Sequence, residues 1–196
     1  QVNPKIDLTF AAAIRSFLRH DPDVIMVGEI RDQETASMAI TASLTGHLVF
    51  STIHTNDAAG AVTRLVDMGI EPFLVTSSLM GVLAQRLVRR LCIHCRETYK
   101  PTATELSRLA IPAEDFFAGR YKVATYITKA PPPPPGHLYR AREGGCNVCS
   151  QRGYQGRSAI YELLEITDAV RELSLKKADA ATLKKAAIHS GMRTLR

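Results

Sequence analysis

The sequence predicts an α/β fold: a mostly parallel sheet with helices on both faces, followed by two smaller pieces. Three observations point there. Val24-Ile25-Met26-Val27 and Leu48-Val49-Phe50-Ser51-Thr52-Ile53 are short continuous apolar runs, the way strands buried on both faces of a parallel sheet read. Segments with apolar residues at helical spacing alternate with those runs, and strand alternating with helix is the order that builds a parallel sheet. After Arg90 the pattern gives way to two Cys-x-x-Cys pairs around a stretch holding five consecutive prolines. The chain is therefore divided into residues 1–90, 91–156 and 157–196.

Each element has a local reason. Thr9 caps a helix through Arg19 whose apolar side is Phe10, Ile14, Phe17 and Leu18, and His20-Asp21-Pro22 stops it. Asp23 and Gly28 bound the first strand. Asp32 caps a helix to about Thr45, with Ala36, Ala39, Ile40 and Leu44 at helical spacing and Gly46 at its exit. The second strand leads to Asp57, which caps a helix striped by Ala58, Ala61, Val62, Leu65 and Val66 and ended by Gly69. Pro72 opens another helix at its first-turn position. Beyond Arg90, a short helix is expected around 104–110, and Pro131–Pro135 should form an exposed, unpaired polyproline spacer. From Arg157 an apolar run, Ala159-Ile160-Tyr161-Glu162-Leu163-Leu164, precedes two helices capped by Thr167 and Asp179 and ending at Gly191.

Composition narrows the function classes. With 45 % hydrophobic and 22 % charged residues, the 196-residue chain has apolar material for a core, and no apolar run approaches the eighteen residues a membrane span needs. A net charge of +6 suits an anionic partner: nucleotide phosphates, nucleic acid or lipid headgroups. Nucleic acid is the weakest of these, because the basic residues are scattered and 6 % aromatic residues without Trp do not make a stacking platform. The chain opens Gln1-Val2-Asn3-Pro4, with no Met and no signal peptide, and is expected to be a piece of something longer.

Glu29 follows the carboxyl end of the first strand, the edge outside which open α/β sheets bind ligands. A carboxylate there can orient water toward a phosphoryl group or hold Mg²⁺ through water, although a strand ending in a solvated Glu would look the same. His47 and His54 flank the second strand and, at about 3.3 Å per residue, lie roughly 23 Å apart, so they cannot serve one atom. His54, with Thr52, falls at the Glu29 edge and is the polar group that could sense a phosphate. His47 reads better as a hydrogen-bonded turn residue. Arg15 and Arg19, at i and i+4, offer two guanidiniums to one side of a helix, which suits a phosphate as well as it suits a solvated face. Arg64 stands off its helix's apolar stripe and meets the same choice; Arg157 lies in a turn after Gly156.

The cysteines are the most specific signal. Cys92-Ile93-His94-Cys95 and Cys146-Asn147-Val148-Cys149 are two knuckles that four thiolates around one structural Zn²⁺ would explain. Two disulfides are the competing reading, disfavoured in a chain without secretion features. His94 is a substitute ligand at most. The spacer, residues 96–145, is longer than usual between such pairs and must be looped out. No Gly-x-x-x-x-Gly-Lys-Ser/Thr loop occurs, so nothing in these residues cradles a nucleotide's phosphates in that way.

Three segments together carry a family resemblance. Residues Asp21 to Asp32, with Val24-Ile25-Met26-Val27-Gly28-Glu29 at their centre, resemble the Walker B segment of the secretion-system traffic ATPases. Thr45-Gly46-His47-Leu48-Val49-Phe50-Ser51-Thr52-Ile53-His54-Thr55-Asn56 looks like their His box, and the paired knuckles look like the tetracysteine element of the type II secretion and type IV pilus assembly ATPases. Residues 58–73 look most like the type II branch.

The resemblance implies a RecA-type core and a homo-hexameric motor that hydrolyses ATP with Mg²⁺. Such a motor works on the cytoplasmic face of a bacterial inner membrane, against platform proteins and anionic lipids, to assemble a pseudopilus. It makes Glu29 the Walker B glutamate, His54 the His-box residue near the γ-phosphate and His47 its earlier member. Arg15, Arg19, Arg64 and Arg157 match arginines that the family places around the nucleotide or between subunits, and Cys92, Cys95, Cys146 and Cys149 match zinc ligands. The phosphate loop would then lie upstream of Gln1. A pilus assembly ATPase and, more distantly, a zinc-stabilised binding module without catalysis are the alternatives.

Overall fold

The computed structural model describes residues 9–120 and 131–195. The chain divides into two compact units, residues 1–85 with 161–195 and residues 86–160. Within the first, α1 (Phe10–Phe17) tightens into a 3₁₀ turn at Leu18–His20 and stops at Asp21, whose φ of 51° no helix continues through. β1 (Val24–Val27), α2 (Gln33–Leu44), β2 (Leu48–Ser51), α3 (Ala58–Asp67) and α4 (Pro72–Ser78) follow. Thr9, Asp32 and Asp57 each accept a backbone N–H of the next turn, which satisfies donors a helix start otherwise leaves open.

β1 and β2 are parallel, with Val24 opposite Leu48 and Val27 opposite Ser51. That pair is the whole of the parallel sheet among the described residues, so the expectation of a mostly parallel sheet is corrected. The 3.2 Å bond from Ile166 N–H to the Met80 carbonyl and the 2.9 Å bond from Cys92 N–H to that of Gly153 show that β3 (Gly81–Leu91) and β6 (Tyr154–Glu165) run antiparallel. β4 (Glu97–Tyr99) and β5 (Leu138–Arg140) are antiparallel as well. Burial of β1 on both faces is corrected too. Ile25 and Val27 are buried beside Ile14 of α1 and Ala42 of α2, whereas Met26 on the opposite face is 71 % exposed. α1 and α2 supply one cover, and none of the described residues supplies a second.

The main core joins Ala36, Ile40, Val62, Leu65 and Val75 to Leu164, Val170, Leu183 and Ala187. α7 (Asp168–Leu175) packs on α4, and α8 (Ala180–His189) packs on α3. Residues 161–195 are therefore part of the first unit and not a subdomain of their own, because the apolar stripes of α7 and α8 have α4 and α3 to cover.

The second unit holds β4, α5 (Ala103–Arg108), α6 (Ala113–Phe117) and β5, with Leu106 and Phe116 buried. α5 starts on a reciprocal cap, in which the Thr102 hydroxyl accepts the Glu105 N–H and the Glu105 carboxylate accepts the Thr102 N–H. Much of the spacer between the knuckles is thus folded structure rather than an excursion. The proline run is mostly exposed, but its carbonyls are not free: Pro131 accepts from Arg96 at 3.2 Å and Pro132 from the Tyr139 hydroxyl at 3.4 Å.

Candidate functional site

Because β1 and β2 are parallel and in register, their carboxyl ends share an edge. Two hydrogen bonds fasten them just past it: Ile30 N–H to the Thr52 carbonyl at 2.8 Å, and the Thr52 hydroxyl to the Gly28 carbonyl at 2.7 Å. Thr52 thus spends its hydroxyl on the backbone beside Glu29. The same fastening brings His54 Nε2 to 3.4 Å from Glu29 Oε2, and Arg31 Nε lies 2.6 Å from that oxygen. Glu29 is 23 % exposed at its side chain, while His54 is 85 % exposed. One carboxylate is thus flanked by an imidazole and a guanidinium at an open sheet edge. Such a group can accept a proton from water and hold that water beside a phosphoryl group.

Arg31 was not singled out from the sequence. Its signal was there: Glu29-x-Arg31 in an extended segment puts both side chains on one side. The other arginines stand elsewhere. Arg15 is exposed and reaches Glu34 of α2 at 3.8 Å, a surface pair of little energetic weight. Arg19 sits in the 3₁₀ turn rather than on α1, and Arg64 is exposed in the last turn of α3. Arg157 lies within β6 in the second unit, in a strand and not in the expected turn. His47 is tied at the opposite end of β2, its Nδ1 lying 3.0 Å from the Ala42 carbonyl oxygen and 3.1 Å from the Thr45 hydroxyl.

The cysteines form a closed cluster in the second unit. Cys92 and Cys146 Sγ are 3.9 Å apart, Cys95 and Cys149 Sγ 3.8 Å, and Cys146 and Cys149 Sγ 3.8 Å, with all four within 4.8 Å of one another. Thiolates at about 2.3 Å from a tetrahedral zinc stand about 3.8 Å from one another, so the spacing fits that ion. Disulfides require about 2.05 Å, and all four cysteines are free. His94 is exposed and outside the cluster.

Backbone donors tune the site: the N–H groups of Cys146 and Gly153 point at Cys149 Sγ, each at 3.2 Å, and hold its thiol down at about 6. Burial, reinforced by the neighbouring thiols, pushes Cys95 up to about 12. The knuckle also has no room for a side chain at two of its glycines. A Cβ on Gly145 (φ 57°) would stand 2.5 Å from the Gln151 carbonyl carbon, and one on Gly153 (φ 72°) 2.9 Å from the Arg142 carbonyl oxygen.

The residue that sequence reasoning missed most completely is Glu162. It is fully buried in β6 and accepts the Ala58 N–H at 3.0 Å, directly after the segment that carries His54. A lone carboxylate inside an apolar strand run was the available signal, since a buried charge persists only where it is partnered.

The family model described as "Type II/IV secretion system protein" matches residues 1–196. The type II secretion system protein E of Pseudomonas aeruginosa is 50 % identical over 191 residues, which are 97 % of this chain and 34 % of that protein. The type IV pilus assembly ATPase PilB of Thermus thermophilus is 48 % identical over all of this chain and 20 % of its own length. The chain thus spans about a third or less of these relatives. Among solved structures, the pilus retraction motor PilT with bound ADP superposes with a TM-score of 0.51 at 25 % identity, covering 95 % of this chain and 41 % of PilT. The Legionella pneumophila ATPase DotB shares the fold at a TM-score of 0.50, covering 92 % of this chain and 34 % of its own. A family model matched from the first residue to the last, with relatives at about half identity, shows that this chain belongs to the type II/IV secretion system protein family.

Proposed function

We propose that the chain is the hydrolytic and zinc-bearing part of a motor ATPase of type II protein secretion, with a phosphate-binding loop elsewhere in the whole protein. The observation that carries this reading is the pairing of Glu29 and His54 at 3.4 Å on the shared edge of two parallel strands. In it, Glu29 accepts a hydrogen bond from the attacking water and aligns it with the γ-phosphorus, while the leaving ADP oxygen takes up the charge. His54 donates to a γ-phosphate oxygen, and Arg31 keeps the Glu29 carboxylate turned toward the edge. A bound Mg²⁺ would supply positive charge to offset that of the phosphates, and Glu29 is the carboxylate placed to hold it through water. Arg15, Arg19 and Arg64 are surface guanidiniums available to phosphate or to a neighbouring subunit, as is Arg157 in the second unit.

Cys92, Cys95, Cys146 and Cys149 would hold one Zn²⁺ through four thiolates, a ligand set that suits a structural ion organising the second unit rather than one taking part in hydrolysis. A homo-hexamer on the cytoplasmic face of the inner membrane, engaging platform proteins and anionic lipids, fits the family and the net charge of +6. Among the described residues no helix is long and apolar enough to cross a membrane. The 48 % identity to PilB favours pilus assembly as the second reading.

The test is Glu29→Gln in the full-length protein: ATP binding is retained and nearly all turnover is lost. Wild-type turnover would remove Glu29 from the role, and a wild-type protein without turnover would leave a zinc-stabilised binding module. Restoration of secretion or of piliation in the matching deletion strain separates the two motor readings.

A further inference from the structure

Glu162 and Lys184 lie outside the hydrolytic edge, yet their bonds converge on the segment that forms it. Glu162 is 0 % exposed, and both of its oxygens are taken: Oε1 by the Ala58 N–H at 3.0 Å, Oε2 by the Leu195 N–H at 3.2 Å and the Lys184 ammonium at 3.7 Å. Lys184, on α8, also reaches Asp57 Oδ2 at 2.9 Å, and the Asp57 carboxylate holds it above the usual lysine range, so that it stays charged. Asp57 Oδ1 meanwhile caps α3 through the Gly60 N–H at 3.0 Å, and its carbonyl accepts the Thr55 hydroxyl at 2.9 Å.

The segment Thr52–Asp57 is therefore pinned at both ends. Thr52 is bonded to Gly28 and Ile30 on either side of Glu29, and Asp57 with Ala58 is bonded to Lys184 and Glu162. His54 lies between the pins with most of its surface in solvent, so its backbone and not packing sets its place. A buried carboxylate is costly unless well partnered, and an apolar residue beside Leu164 would suit the core better. What an apolar residue could not do is accept the first N–H of α3.

We infer that Glu162 and Lys184 are positioning residues of the hydrolytic site: they fix the start of α3 and so the segment from which His54 reaches Glu29. This rests on the reading of Glu29 and His54 as the hydrolytic pair. The two residues come from β6 and α8, more than a hundred residues downstream of His54, so the carboxyl-terminal helices take part in setting the site's geometry.

The test uses the full-length protein with Lys184→Met, Lys184→Arg and Asp57→Asn. Asn still caps α3, so the last variant removes one charge partner and leaves the helix start intact. An ångström of misplacement near the chemistry costs up to about a hundredfold, so Lys184→Met should lower kcat for ATP about tenfold or more while KM stays within about threefold. Asp57→Asn should lower kcat by a smaller factor, and Lys184→Arg should recover most of the rate. Hydrogen exchange at residues 53–57 should quicken in Lys184→Met with β1 unchanged, a readout that needs no turnover. Wild-type kcat and unchanged exchange in Lys184→Met and Asp57→Asn would overturn the inference. So would a loss that Lys184→Arg does not repair and that comes with faster exchange throughout the first unit. If Glu29→Gln keeps its turnover, the reading of the site fails by itself, and exchange at 53–57 still reports whether the anchor exists.

Discussion

Removing the zinc proposed for the cysteine cluster tests the second unit directly. The knuckles close a loop of the order of 50 residues, and a cross-link across a loop of that size withholds roughly 4 kcal/mol of conformational entropy from the unfolded ensemble. Among the described residues, the buried side chains around the cluster are the cysteines themselves, with Pro101, Leu106 and Phe116 by the short helices, so the metal would carry much of the unit's resistance to opening. Chelation, or Cys146→Ser, should therefore lower amide protection by up to about a thousandfold at residues 92–96 and 146–153, since each 1.4 kcal/mol is tenfold. The Gly153 N–H, which points at Cys149 Sγ, should be among the first to exchange. The parallel pair near Glu29 should keep its protection, because its core of Ile14, Ile25, Val27 and Ala42 contains no cysteine. The assay is hydrogen exchange read by mass spectrometry beside metal analysis of protein purified under reducing conditions. Absence of zinc, with four freely reactive thiols, or unchanged protection after chelation, would refute the reasoning.

Two further outcomes are expected. Alanine at Arg15 or Arg19 should lower ATP turnover of the full-length protein more than it lowers thermal stability, since both are exposed and Arg15 makes a weak surface pair; activity lost only in step with unfolding would leave them surface residues. The Thr182 N–H, followed by its hydroxyl, holds the Asp179 carboxyl below its ordinary 3.8, so the cap on α8 contributes above that pH and is lost as pH falls through the lower folded value. Asp179→Ala should thus lower Tm near pH 7 and make less difference near pH 3, whereas a gap indifferent to pH would contradict the assignment.

What could be read from the residues was local. Asp32, Asp57, Thr167 and Asp179 announce helix starts because a short polar side chain satisfies N–H groups within its own turn, and Pro72 does so because its ring already has the helical φ. The clustering of the four cysteines was legible for a similar reason, as each pair is spaced to meet across a single knuckle. β3 was not legible: Gly81–Leu91 follows a helix and carries helix-favouring Leu, Ala, Gln and Arg, and it is a strand because β6 pairs with it. Glu162 could be marked as odd but not explained, since its partners at Ala58, Lys184 and Leu195 are set by tertiary packing. His54 could be placed on the Glu29 edge from strand direction alone; the 3.4 Å approach needed the register of β1 on β2.

The proline run has a consequence for how the protein behaves at high concentration. A two-stranded ribbon such as β4–β5 leaves outer edges on which a strand from another molecule could add. Pro131–Pro135 offer no backbone N–H at all, and the carbonyls of Pro131 and Pro132 already accept from Arg96 and Tyr139, the latter on β5 itself. Strand addition needs donors and free acceptors in alternation, and this exposed stretch supplies neither at those positions. The stretch that leads into β5 therefore gives an added strand nothing to pair with at those positions, so that a sheet joining two molecules could not extend along the chain through it.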